Sequence, residues 1–311
     1  YVLKIEAAFM LLPCVTSLIY HEKEGRYFFL VSCVCMLLGV LMTYRKPKNT
    51  VFYLKEGCLA TSLSWIILSL FGAIPFWISG EIPQWENALF ETISGFTTTG
   101  ATVLSNVEGL SHTALIWRSF THWIGGMGVL VFLLAILPLS GGSSINLMRA
   151  ESPGPSVGKL VPKVRYTAMI LYTIYFGMTV IEFIFLLAGK MPVFDALTTA
   201  FGTAGTGGFG IKNDSIMGYS PYIQWVVAIF MILFGINFNF YFYILYRHFR
   251  KAISMEEIHY YLAMILIAVT IIFLNVRTMY PTGFEAMTHS VFQVASLATS
   301  TGFSTTCLLY T

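Results

Sequence analysis

Charge is what this sequence has least of. Asp, Glu, Lys and Arg make up 11% of its 311 residues, against about 25% in soluble domains. That excludes an ordinary water-soluble fold. With 56% hydrophobic residues and a mean hydropathy of +0.73, intrinsic disorder is excluded as well. Cysteine is also sparse. Cys14, Cys33, Cys35, Cys58 and Cys307 show no metal-ligand spacing, and four of them lie in apolar stretches as small hydrophobes. A disulfide-stapled secreted module does not fit. The net charge of +3 is too weakly basic for nucleic acid.

What the chain does have is long apolar runs, each of a length that spans a bilayer as helix. Seven stand out, at about 5–20, 27–43, 59–79, 114–139, 167–188, 222–246 and 258–275. A β-barrel would instead show short alternating segments. The fold class is therefore an all-α polytopic membrane protein. Three shorter half-apolar stretches, about 86–97, 194–205 and 286–298, are too short to cross and read as re-entrant half-helices.

Basic residues give the orientation. The loops at 44–56, 140–166 and 247–257 hold Arg45, Lys46, Lys48, Lys55, Arg149, Lys159, Lys163, Arg165, Arg247, Arg250 and Lys251. The opposite side holds only Lys23, Arg26, Lys190, Lys212 and Arg277. The positive-inside rule puts the first set in the cytoplasm and all three short stretches outside. Acids show the reverse bias. Glu22, Glu24, Glu81, Glu86, Glu91, Glu108, Asp195, Asp214 and Glu285 fall outside, where they would concentrate cations at an entrance.

The three short stretches repeat one another. A gap-free shift of 108 residues brings Gly100 onto Gly208, and a shift of 202 brings it onto Gly302. Before each glycine comes a small or hydroxylated run: Thr97-Thr98-Thr99, Gly205-Thr206-Gly207 and Thr299-Ser300-Thr301. Non-helical backbone at membrane depth is tolerated only where it is buried in protein or lines water. A Thr/Gly segment without charge offers carbonyl and hydroxyl oxygens, which can replace the hydration shell of a monovalent cation. Glycine allows dihedrals that turn carbonyls toward an axis. The half-helix before it aims its partly negative C-terminus the same way. Three such copies on one side suit a pore wall built by rotation about an axis. No covalent chemistry is implied. An intramembrane enzyme would need clustered titratable groups at depth, and Glu182 reads as the lone acid among the spans.

These motifs resemble the Trk/Ktr/HKT superfamily of potassium transporters, most closely its TrkH/TrkG-type pore subunits. The resemblance is carried by Ser94-Gly95-Phe96-Thr97-Thr98-Thr99-Gly100-Ala101-Thr102, His122-Trp123-Ile124-Gly125-Gly126-Met127-Gly128, Arg149-Ala150-Glu151-Ser152-Pro153-Gly154-Pro155, Thr206-Gly207-Gly208-Phe209-Gly210 and Ser300-Thr301-Gly302-Phe303-Ser304. It implies helix–pore loop–helix repeats around a pseudo-fourfold pore, preceded by two extra helices. On that plan residues 1–50 are two leading transmembrane helices and 51–140 are pore repeat 1. Residues 141–166 are a cytoplasmic loop, 167–250 repeat 2 and 251–311 an incomplete repeat 3. Three filters are then present and the fourth repeat is missing, as in a truncated chain.

The resemblance also implies potassium uptake across a bacterial inner membrane, with pore loops facing outside. Thr98, Thr99, Gly100, Thr206, Gly207, Gly208, Ser300, Thr301 and Gly302 would bind K⁺, which is the substrate; no cofactor is expected. Expected partners are a second copy of the chain, membrane lipid and a cytosolic RCK-type nucleotide-binding subunit (TrkA-like). Sodium conduction, Na⁺/K⁺ symport and a non-conducting fragment are the alternatives. Three further polar residues are candidates for pore lining or helix packing. Glu182 sits within its span, Asn237 lies near the inner end of 222–246, and Arg118 either anchors a pore helix through Glu91 or snorkels to the interface. Gly125, Gly126 and Gly128 read as close-packing positions.

Overall fold

A computed structural model describes residues 1–44, 54–128 and 164–306. Arg45, Lys46, Lys48, Arg149, Lys159, Lys163 and Cys307 lie outside these. So does 129–139, the later part of the predicted span 114–139. Every described element is helical: α1 (Val2–Phe9), α2 (Leu11–Tyr20), α3 (Gly25–Thr43), α4 (Leu54–Ser79), α5 (Trp85–Phe96), α6 (His112–Met127), α7 (Val164–Ala188), α8 (Val193–Ala204), α9 (Pro221–Phe234), α10 (Phe238–Leu245), α11 (Phe249–Ile253), α12 (Glu256–Val276) and α13 (Gly283–Ala298).

Five stretches are long and apolar enough to cross a membrane: Val2–Tyr20 (α1 with α2), Gly25–Thr43, Gly57–Ser79, Tyr166–Ala188 and Glu256–Val276. Between them, α5, α8 and α13 have 12, 12 and 16 residues. At 1.5 Å per residue they cannot cross, as the sequence predicts for these three stretches. Each opens with an acid in its first turn, Glu86, Asp195 or Glu285, where the helix dipole favours negative charge.

One predicted span needs correction. The run 222–246 is two helices, α9 and α10, bent by 90° at Gly235–Asn237. Asn237 starts the second one: its Oδ1 accepts from the Asn239 N–H at 3.0 Å, and its Nδ2 donates to Glu257 at 3.2 Å. An asparagine that caps a new helix supplies the orphan donors of a helix start, so the break is a built feature. Asn237 is thus a cap, and these two bonds are its described polar contacts.

The described residues form two compact units. The first comprises Tyr1–Thr97 and Ala101–Tyr172, the second Thr98–Gly100 and Thr173–Thr311. In the first, α5 packs on α4 and α6, and α3 packs on α1 and α2. Its centre is aromatic. Phe28 meets Phe76 and Trp117 edge-on, and Phe96 meets Trp117, with ring centroids 6.1–6.2 Å apart. The Trp117 indole N–H donates to the Gly72 carbonyl at 3.1 Å, satisfying the one polar atom of a fully buried ring. In the second unit, α13 packs between α9 and α12, and α8 lies on α9.

Glu22, in the turn before α3, grips the start of α6. Its carboxylate accepts from the N–H groups of His112 and Thr113 at 2.8 and 2.9 Å and from the Thr113 hydroxyl. These are orphan donors of a helix N-terminus. Burial alone would raise Glu22, but the hydrogen bonds from Thr113 and His112 outweigh it and hold the carboxyl below its ordinary 4.5. A carboxyl depressed in the fold stabilises it fully above the unfolded value and loses that contribution as pH falls through the folded one. Glu22→Ala is expected to cost about 1–2 kcal/mol. In thermal unfolding of detergent-solubilised protein, parent and variant should converge as the pH drops below 4.5; a gap that persists unchanged there would contradict this role.

Candidate ion-coordination site

Each short helix runs directly into one of the glycine segments, and the three backbones take the same path. Thr98, Thr206 and Ser300 have φ of 54°, 50° and 56°; two residues on, Gly100, Gly208 and Gly302 have φ of 73°, 70° and 85°. Left-handed backbone is uncommon for threonine and serine. Its recurrence at three equivalent positions marks a conformation that the surroundings impose. Two left-handed residues separated by one that is not turn successive carbonyls to the same side.

The amides point the other way, into the helix behind. In the second segment, Thr206 N–H bonds to Thr203 O at 2.9 Å and Gly207 N–H to Gly202 O at 3.0 Å. In the third, Ser300 N–H bonds to Leu297 O at 3.1 Å and Thr301 N–H to Ser296 O at 2.8 Å. With the donors spent, the carbonyls of Thr206, Gly207, Gly208, Ser300, Thr301 and Gly302 accept no hydrogen bond among the described residues. Thr301 turns its hydroxyl to Thr299 at 2.7 Å, so its free oxygen is the carbonyl. Buried acceptors left open cost free energy unless something else occupies them.

These carbonyls converge within one unit. A Cβ built at Gly100 would overlap the carbonyl oxygen of Gly207, with Thr301 O 3.6 Å away; one built at Gly208 would overlap the carbonyl oxygen of Thr301. Under the two shifts, Gly207 and Thr301 are both equivalents of Thr99. Each glycine thus leans on the carbonyl that precedes the next glycine, twice over by the same relation. That is the contact pattern of a rotational repeat. Gly302 has no heavy atom within 4 Å of such a Cβ among the described residues.

Hydroxyls hold the segments from behind. Ser94 donates to the carbonyl of Ala101, and Ser296 donates to that of Phe303, both at 2.6 Å. These serines superpose under the shift of 202. The third equivalent is Gly202, where a Cβ would lie 2.9 Å from the Phe303 ring; the buried phenyl takes the space of a side chain. His122, fully buried, reaches the Ser94 backbone.

A buried ion pair fixes the exit of the first segment. Arg118 Nε lies 2.8 Å from Glu91 Oε2, with the two side chains 3% and 0% exposed. The other oxygen of Glu91 accepts from the Thr102 hydroxyl and, at 2.8 Å, from Val103 N–H. Arg118 therefore does not snorkel: its partner is on α5, and together they tie the chain after Gly100 to α6. Glu182 is fully buried beside the Thr203 hydroxyl.

Sequence reading missed three groups. Ser94 and Ser296 went unremarked, although their coincidence under the shift of 202 was there to find. Glu6 corrects the picture of Glu182 as the lone intramembrane acid. It lies inside the first span with 0% exposure, and Oε1 is 3.4 Å from a Cβ built at Gly72. Its place near the first residue of the chain disguises it as a helix end. Among the described residues, no cluster of His, Cys, Asp and Glu could hold a metal ion. What the converging segments offer is neutral peptide oxygen, at the negative ends of helices, with no side-chain charge.

The TrkH family, described as "Cation transport protein", matches residues 24–308. The Trk system potassium uptake protein TrkH of Salmonella typhimurium is 35% identical over 306 residues, covering 95% of this chain and 63% of that protein. The Trk system potassium uptake protein TrkG of Escherichia coli is 31% identical, covering 95% and 62%. In structure, the chain is similar to the potassium transporter TrkH from Vibrio parahaemolyticus, with a TM-score of 0.82, 27% identity and coverage of 98% of this chain and 64% of that one. The chain thus spans a little under two thirds of the length of the relatives it matches. Its helices and its repeated re-entrant segments are those of an integral membrane transporter, not an enzyme, and the chain belongs to the TrkH family of cation transport proteins.

Proposed function

We propose that this chain supplies three filter segments of a potassium-uptake pore in a bacterial inner membrane. The supporting observation is the threefold repeat of paired left-handed residues, with carbonyls of successive segments brought together. Thr98, Thr99, Gly100, Thr206, Gly207, Gly208, Ser300, Thr301 and Gly302 form the K⁺-binding wall. A K⁺ ion entering from the acidic outer face exchanges hydration water for peptide oxygens. It then descends with the inside-negative potential, worth about 2.3 kcal/mol per charge per 100 mV. The short helices aim their partly negative C-termini at the ion without a fixed charge that would trap it. The similarity to TrkH and TrkG supports potassium as the cargo. The positive-inside bias supports outward-facing pore loops. The unit organisation of 1–50, 51–140, 141–166, 167–250 and 251–311, the homodimer and the cytosolic TrkA-like subunit follow from the family resemblance.

The test is uptake. The full-length gene product, expressed in a bacterial strain that lacks its own K⁺ uptake, should restore growth at low K⁺ and take up rubidium. Excess Na⁺ should compete weakly, because a carbonyl ring suited to K⁺ coordinates the smaller ion less well. Equal competition by Na⁺ would favour the sodium-conducting reading, and absence of uptake at normal membrane levels would count against both.

A further inference from the structure

Glu182 has no part in the ion-binding wall, yet it is among the most buried polar groups in the protein. Both carboxyl oxygens are shielded and neither completes a hydrogen bond. A bare carboxylate in such a place is costly. Beside it lies the Thr203 hydroxyl, in the last turn of α8. Thr203 is itself 0% exposed, and its single hydroxyl proton goes to the Thr199 carbonyl at 2.9 Å. A hydroxyl has one donor and two acceptor lone pairs. The only hydrogen bond open between these groups is therefore one in which the acid carries the proton and Thr203 Oγ1 accepts it.

The last turn of α8 is also where the second segment hangs. Thr206 N–H bonds to the Thr203 carbonyl, and the N–H groups of Gly207 and Gly208 bond to Gly202 O at 3.0 and 3.3 Å. The other two segments have a serine at the Gly202 position, whose hydroxyl pins the residue after the filter glycine. The second segment lacks that hydroxyl. What it has instead is a buried acid on α7 set against the neighbouring residue, Thr203.

We propose that Glu182 is a positioning residue for the second filter segment, donating a hydrogen bond from its neutral carboxyl to Thr203 Oγ1 and thereby fixing the turn from which Thr206 and Gly207 are suspended. The proposal rests on the reading of Thr206–Gly208 as part of an ion filter. It acts on selectivity more than on throughput, since a loosened segment still passes ions but discriminates between radii less well.

The experiment measures rubidium uptake and the Rb⁺/Na⁺ ratio in the full-length transporter. Glu182→Gln keeps a donor and should leave the ratio near the parent. Glu182→Leu removes the donor and should lower the ratio about tenfold, the equivalent of one buried hydrogen bond. Thr203→Val, nearly isosteric, should reproduce that loss, and the double variant should be no worse than either single one. Thr203→Val also decides the matter if Glu182→Leu fails to reach the membrane. A parental ratio in Thr203→Val would overturn the proposal, and so would a Gln variant as impaired as the Leu variant. Gly208→Ala serves as the separate check: parental uptake there would sink the filter reading itself, whereas loss of uptake there with an indifferent Thr203→Val would sink only the role of Glu182.

Discussion

Gly208→Ala is expected to abolish rubidium uptake without changing the amount of protein in the membrane. Two effects add. The backbone at 208 is left-handed, with φ of 70°, which costs an L-residue about 1–2 kcal/mol. The new methyl would also overlap the Thr301 carbonyl oxygen, one of the open acceptors. The chain can relieve the overlap only by turning that carbonyl aside or by spreading the segments, and either removes a ligand from the ring. Gly100→Ala should fail in the same way through the Gly207 carbonyl. Gly177→Ala is the matched control: it lies in α7 with no atom within 4 Å of the added carbon among the described residues, and in a helix interior alanine is favoured over glycine. Parental uptake in the Gly208 variant at equal expression would remove this glycine from the ion path.

The second large effect is expected at Arg118. Breaking a buried ion pair from one side leaves an uncompensated charge and typically costs about 3–5 kcal/mol. Arg118→Leu would strand Glu91, whose other oxygen holds Thr102 and Val103. The variant should melt well below the parent in detergent and lose uptake, because the exit of the first segment is no longer tied to α6. Adding Glu91→Gln should recover part of the melting temperature by removing the stranded charge while keeping an acceptor for Val103 N–H. If Arg118→Leu melts with the parent, the clamp has no energetic standing.

The parts of this fold that repeat were legible in the sequence. The half-helices expected at about 86–97, 194–205 and 286–298 are found at Trp85–Phe96, Val193–Ala204 and Gly283–Ala298, because length and apolar content alone distinguish a half-helix from a span. Gly100, Gly208 and Gly302 could be superposed because only glycine suits that backbone so readily. The bend at Gly235–Asn237 was not legible. The run across it is apolar without interruption, and the break depends on Asn237 turning back to cap Asn239. Arg118 shows the same limit. Its spacing from Glu91 allowed a clamp or a snorkelling side chain, and only the packing of α6 on α5 selects the clamp.

The first filter segment, Thr98–Gly100, belongs to the unit formed by later residues, although its flanks belong to the earlier one. That imposes an order in time. When Gly100 leaves the ribosome, the Gly207 and Thr301 carbonyls against which it will rest have not been made. The last of them lies 201 residues further on (301 − 100), roughly 10–40 s at ordinary synthesis rates. Through that interval the first hairpin must wait at the insertion machinery with its oxygens wet and unshared, so the ring is closed by docking after translation, not threaded during it.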